Sequence, residues 1–141
     1  MTKKYKILGK YIKDISGETK DIETYLFVKE NITKYQLAID ITSKPLKNKM
    51  IEVSTSLKFE DKGQNAKKSF FEIIYSTIVK VDEDVKDKKD LEKIILCDVQ
   101  IEIYPDLEKS LLDLLHNSGY PGIKFEKKVD FENLYNKKFN N

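Results

Sequence analysis

Apolar and polar residues alternate with a period of two along most of the chain up to Val81, and the period lengthens to a helical one beyond Ile94. The densest alternation is Ser69–Val81 (SFFEIIYSTIVKV), rich in the β-branched and aromatic residues that suit a pleated surface, and it predicts the central strand of a sheet. One face would carry Phe71, Ile73, Tyr75, Thr77, Val79 and Val81. The other would carry Phe70, Glu72, Ile74, Ser76, Ile78 and Lys80. This second face is also mostly apolar while holding one carboxylate, so it is expected to be covered, either by a small helix of the same chain or by a subunit or protein partner.

Lys4–Ile15 predicts a first strand, with Gly9 at a bulge or a close backbone approach. Asp14–Glu30 mixes turn residues with the apolar patch Tyr25–Val28 and predicts no definite element. Lys34–Thr42 alternates with Tyr35, Leu37, Ile39 and Ile41 inward, and Ser43-Lys44-Pro45 is expected to close it as a turn. Met50–Phe59 reads as the next strand, and Glu60–Lys68 as a polar hairpin loop into the central one. Short connections imply antiparallel neighbours. Asp82–Asp90 (DEDVKDKKD) reads as a charged surface loop, and Ile94–Ile103 as strand or helix with a lean to helix. Pro105 sits where a helix begins or kinks. Leu107, Leu111, Leu114 and Leu115 then mark one helical face, which His116, Gly119 and Pro121 bring to an end. Asp130 can cap a short helix bearing Phe131, Leu134 and Tyr135, ahead of a polar tail from Asn136 to Asn141. Strands first and helices after is an α+β layout, a sheet of four antiparallel strands with C-terminal helices on one face.

The 141 residues fit one domain, 1–141, able to bury a core without staples. One cysteine, Cys97, allows no internal disulfide, and neither a signal-peptide core nor a membrane-length apolar run occurs, so a soluble cytoplasmic protein is expected. The 26 basic residues against 24 acidic ones include no arginine. A lysine-only set that alternates with acids argues against specific nucleic-acid or phosphate recognition. The lone His116 and lone Cys97 fall in no zinc-ligand spacing, and Gly9, Gly17, Gly63, Gly119 and Gly122 never cluster into a phosphate loop. Glu72 is the only acid inside a strongly apolar strand, and without a second positioned acid or base it does not make a catalytic site. An enzyme would need a polar pocket assembled from distant parts of the chain.

Several blocks together resemble the SecB export-chaperone family. They are Tyr11-Ile12-Lys13-Asp14-Ile15-Ser16 followed by Glu18; Met50-Ile51-Glu52-Val53; Phe70-Phe71-Glu72-Ile73; Tyr104-Pro105; Gly119-Tyr120-Pro121; and Val129-Asp130-Phe131-Glu132-Asn133-Leu134-Tyr135. Their order and spacing cover roughly Tyr5 to Phe139. The resemblance implies a homotetramer, a dimer of dimers, that uses no nucleotide or other cofactor, binds unfolded preproteins, and delivers them to the SecA translocation motor without inserting in the membrane. The family's SecA-contacting positions fall here on Asp14, Glu18, Phe70 and Glu72. Tyr35, Leu37 and Ile39 would correspond to client-groove positions, although any core strand shows the same alternation.

The chain departs from the family's pattern in a sequence pI of about 8.4 instead of a strongly acidic one. It also has Thr77 where a glycine is usual, Asp106 and Glu108 where an aromatic and an arginine are usual, and a short tail. A SecB-like chaperone dedicated to one partner, such as an antitoxin, is the alternative, and retention of Asp14, Glu18 and Glu72 favours export.

Overall fold

In the computed structural model, which describes residues 4–61, 63, 69–125 and 129–139, the sheet is assembled on β4 (Phe71–Val81). It pairs with β1 (Tyr5–Gly17) on one side and β3 (Met50–Glu60) on the other, and β2 (Gln36–Pro45) completes the antiparallel order β1-β4-β3-β2. The face expected to be the core is buried throughout: Phe71, Ile73, Tyr75, Thr77, Val79 and Val81, beside Val53, Thr55, Leu57 and Phe59 of β3. Helix α3 (Val99–Asn117) packs on it through Val99, Ile103, Leu107, Leu111 and Leu115, an unbroken four-residue spacing along one helical face. On the opposite face Glu72, Ile74 and Ile78 remain partly exposed, so the intramolecular helix weighed as its cover is not found there among the described residues.

Four boundaries differ from the sequence reading. Strand β2 starts only at Gln36, after a 3₁₀ turn over Ile32–Lys34, and runs through Ser43-Lys44-Pro45 in place of turning there. Pro45 is tolerated because β2 is an edge strand, where a missing N–H interrupts no ladder. The reversal comes at Asn48 and Lys49, both left-handed (φ 62° and 61°), with the Leu46 N–H donating to the Met50 carbonyl at 2.8 Å. Within Asp14–Glu30, β1 continues to Gly17 and a helix, α1 (Ile22–Asn31), follows, capped by Asp21 accepting from the Thr24 N–H at 2.8 Å. The charged segment Asp82–Asp90 is a loop only to Asp87, which caps α2 (Lys88–Lys93). Pro105 begins nothing: it lies inside α3 on the exposed side, where the bond it cannot donate to the Ile101 carbonyl is least costly to lose.

The bulge expected at Gly9 is present, since the β1–β4 register shifts between Ile7 and Gly9 and again between Ile12 and Asp14. Asp130 caps α4 (Phe131–Phe139) by accepting from the Asn133 N–H at 3.0 Å. Most of the Glu60–Lys68 loop and the end of the polar tail lie outside the described residues.

Between α2 and α3 the backbone makes one π turn, Ile94–Asp98. It brings the wholly buried Gln100 against β3, where its amide oxygen accepts from Thr55 Oγ1 at 2.9 Å and its NH₂ donates to the Ile95 carbonyl at 3.1 Å. A buried amide is tolerated in an apolar layer because both of its ends are bonded. Gln100→Leu leaves the Thr55 hydroxyl dry and without its acceptor and removes one donor from the Ile95 carbonyl, and should cost about 1–3 kcal/mol in urea unfolding. Adding Thr55→Val to that variant should recover part of the loss.

Candidate functional site

Two surfaces on opposite sides of the sheet carry the predicted site residues. The first is the face away from the helices. Antiparallel register puts Ser16 opposite Glu72 and Asp14 opposite Ile74, so Asp14 and Glu72 are diagonal neighbours on that face. Asp14 accepts from the Ser16 hydroxyl, and Glu72 accepts from Ser56 Oγ on β3 at 2.8 Å. Glu18, just past the end of β1, and Phe70, just before β4, line one shallow concavity of about 550 Å³ together with Ile15, Ser16, Lys20 and Thr24. Phe70 is 46% exposed, and the Lys58 ammonium lies 4.6 Å from its ring centroid. The structure thus brings the four predicted positions together as two pairs, Asp14 with Glu72 on the strand face and Glu18 with Phe70 in the concavity, linked by Ser16, which lines the concavity and lies opposite Glu72.

The same face has a further acid, Glu52, which accepts from Tyr11 Oη at 2.8 Å and Ser76 Oγ at 2.7 Å, with Lys13 Nζ at 3.6 Å. The Ser76 and Tyr11 hydrogen bonds, aided by Lys13, hold its carboxyl below the usual carboxylate range. A lowered folded-state value stabilises the fold above that range, and the contribution fades as pH falls through the lowered value. Glu52 therefore ties three strands together and is less available to a partner than Asp14, Glu18 or Glu72.

The second surface is a cavity of about 890 Å³ beside β2. Its floor is aromatic and aliphatic, drawn from separate stretches: Tyr25, Ile32 and Tyr35 from α1 and the turn after it, Leu37 and Phe59 from β2 and β3, and Tyr120, Ile123 and Phe125 from the loop after α3. The rings brace one another: Tyr25 stacks on Tyr120 (5.4 Å between centroids), Tyr35 leans on Phe59 (5.2 Å), and Phe59 meets Phe125 edge-on (5.6 Å). Hydroxyls lock them to the backbone, with Tyr35 Oη donating to the Ser69 carbonyl at 2.7 Å and Tyr25 Oη to the Gly119 carbonyl at 2.9 Å. Burial pushes the Tyr35 phenol up to about 12, so it stays a neutral donor at physiological pH. Gly119, expected as a helix cap, has φ +107° and closes α3 while turning the loop onto Tyr25.

Of the predicted groove positions, Tyr35 and Leu37 line this cavity together. Ile39 does not; it lines a smaller cavity of about 220 Å³ further along β2, with Ile41, Leu96, Phe131, Leu134 and Tyr135. Sequence reasoning missed Tyr25, Tyr120 and Phe125, and the available signal was the aromatic content of the Tyr25–Val28 patch and of the Gly119-Tyr120-Pro121 block. The unusual Asp106 has a local use, pairing with Lys10 Nζ at 3.1 Å and tying α3 to β1. Among the described residues no three metal-ligating side chains converge, and no helix is long and apolar enough to cross a membrane.

The model of the family described as preprotein translocase subunit SecB matches residues 1–141. A protein of Pelagibacter ubique (strain HTCC1062), named as a protein-export protein SecB, is 60% identical over 140 residues, 99% of this chain and all of that one. Among solved structures, a Mycobacterium tuberculosis SecB-like chaperone in complex with a ChAD peptide from an antitoxin superposes with a TM-score of 0.65 at 11% identity, over 89% of this chain and 91% of that one. That likeness extends to the fold: a four-stranded antiparallel sheet with C-terminal helices. The chain belongs to the SecB family of preprotein translocase subunits, which are chaperones and not enzymes.

Proposed function

We propose that this chain is an ATP-independent holding chaperone of the cytoplasm that keeps secretory precursors unfolded in its aromatic cavity and hands them to SecA across the opposite, acid-bearing face. The observation that carries this reading is the cavity beside β2. An unfolded chain exposes the apolar side chains that folding would hide, and a braced aromatic floor offers them burial without demanding one sequence. The two surfaces lie on opposite sides of the sheet, so a client and a motor can be engaged together. The working form is a homotetramer, a dimer of dimers. In support, β1 is a thirteen-residue edge strand whose Leu8, Tyr11, Ile12 and Ile15 are exposed, a costly arrangement for a lone subunit.

A second reading has a specific observation behind it: the structural neighbour was solved with an antitoxin peptide, so the fold also serves a dedicated partner. Retention of Asp14, Glu18 and Glu72 favours the export reading. Light scattering on size-separated protein, alone and mixed with an unfolded secretory precursor, tests the proposal. A tetramer that retains the precursor without nucleotide is the expected result. A monomer that ignores unfolded chains would leave the family standing and remove the function. Within this assay Tyr35→Asp, which sets a carboxylate among the rings, should abolish precursor retention.

A further inference from the structure

The floor of the large cavity is uncharged, but its rim is not. Lys29 of α1 and Lys124 of the loop after α3 both line it and both are exposed. Thr33 is the remaining rim residue with a polar side chain, and no carboxylate lines the cavity among the described residues. Two acids beyond the lining, Glu60 and Asp61, are close enough to act on the Tyr35 phenol, but Glu60 is paired with Lys58 Nζ at 3.3 Å, so among the described residues the two lysines leave the rim net positive. The chain as a whole is slightly basic, at a formal +2, so the background field does not reverse the sign of the rim.

From this charge complementarity we infer that the cavity selects unfolded segments in which aromatic or aliphatic residues are flanked by aspartate or glutamate, and that Lys29 and Lys124 are the specificity-determining residues. The inference rests on the cavity being the client site. The apolar part of a segment fills the floor and supplies most of the affinity, whereas the flanking acids meet the two ammonium groups at the rim. Lysine suits this task better than arginine would, because a flexible point charge accepts carboxylates in many geometries and so adds sign preference without sequence preference. Exposed pairs of this kind contribute modestly and are screened by salt, so the preference is expected to be tunable and not absolute.

The test uses the full-length protein and three short fluorescent peptides that share one alternating Phe/Leu centre and differ in their flanks: paired Asp, paired Ser or paired Lys. Anisotropy at low salt should rank them Asp, Ser, Lys, with about a fivefold to tenfold span between the extremes that shrinks at high salt. The variant carrying both Lys29→Glu and Lys124→Glu should invert the order, and the variant carrying both Lys29→Gln and Lys124→Gln should flatten it. Both sites are exposed, and circular dichroism checks that the variants fold. Equal binding of the three peptides, all displaced by Tyr35→Asp, would overturn the charge preference and leave the client cavity intact. Failure of the Ser-flanked peptide to bind, or binding indifferent to Tyr35→Asp, would remove both.

Discussion

Exchanging Glu72 for lysine should weaken SecA binding at least tenfold, about 1.4 kcal/mol, with precursor holding unchanged. Glu72 sits near one end of the acid-bearing face, partly exposed, with its carboxylate oriented by Ser56 Oγ at 2.8 Å. Its cross-strand neighbour on β3 is Lys58, which is engaged elsewhere, with Glu60 at 3.3 Å and with the ring of Phe70. Glu72 is thus a presented charge, oriented by a neutral hydroxyl. Complementary charges across a docking surface mainly raise the encounter rate and exclude wrong orientations, and reversing one converts an attraction into a repulsion. The exchange also brings like charges directly opposite at Lys58, a local cost of a few tenths of a kcal/mol that is too small to unfold the sheet. Glu72→Gln separates the effects: it keeps the bond from Ser56 and should lose SecA affinity by a smaller factor, with a reduced salt dependence. The aromatic cavity lies on the other side of the sheet, so suppression of precursor aggregation should not move in either variant. SecA affinity unaltered in Glu72→Lys would sink the docking face and shift the balance toward a chaperone dedicated to one partner.

The basic pI bears on the same surface. Net charge sets long-range steering, and at a formal +2 this chain has little to offer a basic partner at a distance. Within a Debye length, about 8 Å at physiological salt, the local set counts, and Asp14 and Glu72 are diagonal neighbours while Glu52 is held by Tyr11, Ser76 and Lys13. A near-neutral chain can keep a locally acidic docking site because strand register, and not composition, decides which charges are neighbours.

Register also explains what was legible in the sequence. Strands β3 and β4 follow from the period-two alternation to within a residue or two, because the core face of β4 is buried throughout and that of β3 from Val53 onward. Helix α3 follows from its leucines for the same reason. Helix α1 did not: it exposes Ile22 and Leu26 and buries Thr24 and Val28, so its apolar residues trace no stripe, and only the Asp21 cap marks it. Helix α2 is charged on every side and is held by Asp87 and by its continuation into the π turn. Asp14 and Glu72 could be placed on one face because their strands pair predictably. The cavity could be placed only through Tyr35 and Leu37, since Tyr25, Tyr120 and Phe125 come together from stretches with no shared period.

The joint that brings those stretches together is Gly119, and Gly119→Ala should cost roughly 3 kcal/mol, along with most of the client holding. At φ +107° a side chain is strained whatever the space around it, by about 1–3 kcal/mol. There is also no space: a Cβ would lie 2.5 Å from Cε1 of Tyr25. The ring cannot swing aside cheaply, because it is stacked on Tyr120 and its hydroxyl donates to the carbonyl of Gly119 itself. Relief means breaking the hydrogen bond, the stack, or both, each worth about 1 kcal/mol, and either one opens the wall of the cavity between α1 and the loop. Gly122 is the matched control, since it lines the same cavity, yet a Cβ there meets nothing within 4 Å. Gly122→Ala should stay within about 0.5 kcal/mol of the parent protein in urea unfolding and hold precursor normally. Precursor retention is then compared well below the unfolding midpoint of the weaker variant, so that loss of the wall is read apart from loss of the fold. Should the two alanine variants prove equally stable and equally retentive, the braced Tyr25–Tyr120 wall is not what the client binds, and the site moves along β2 to the cavity lined by Ile39 and Phe131.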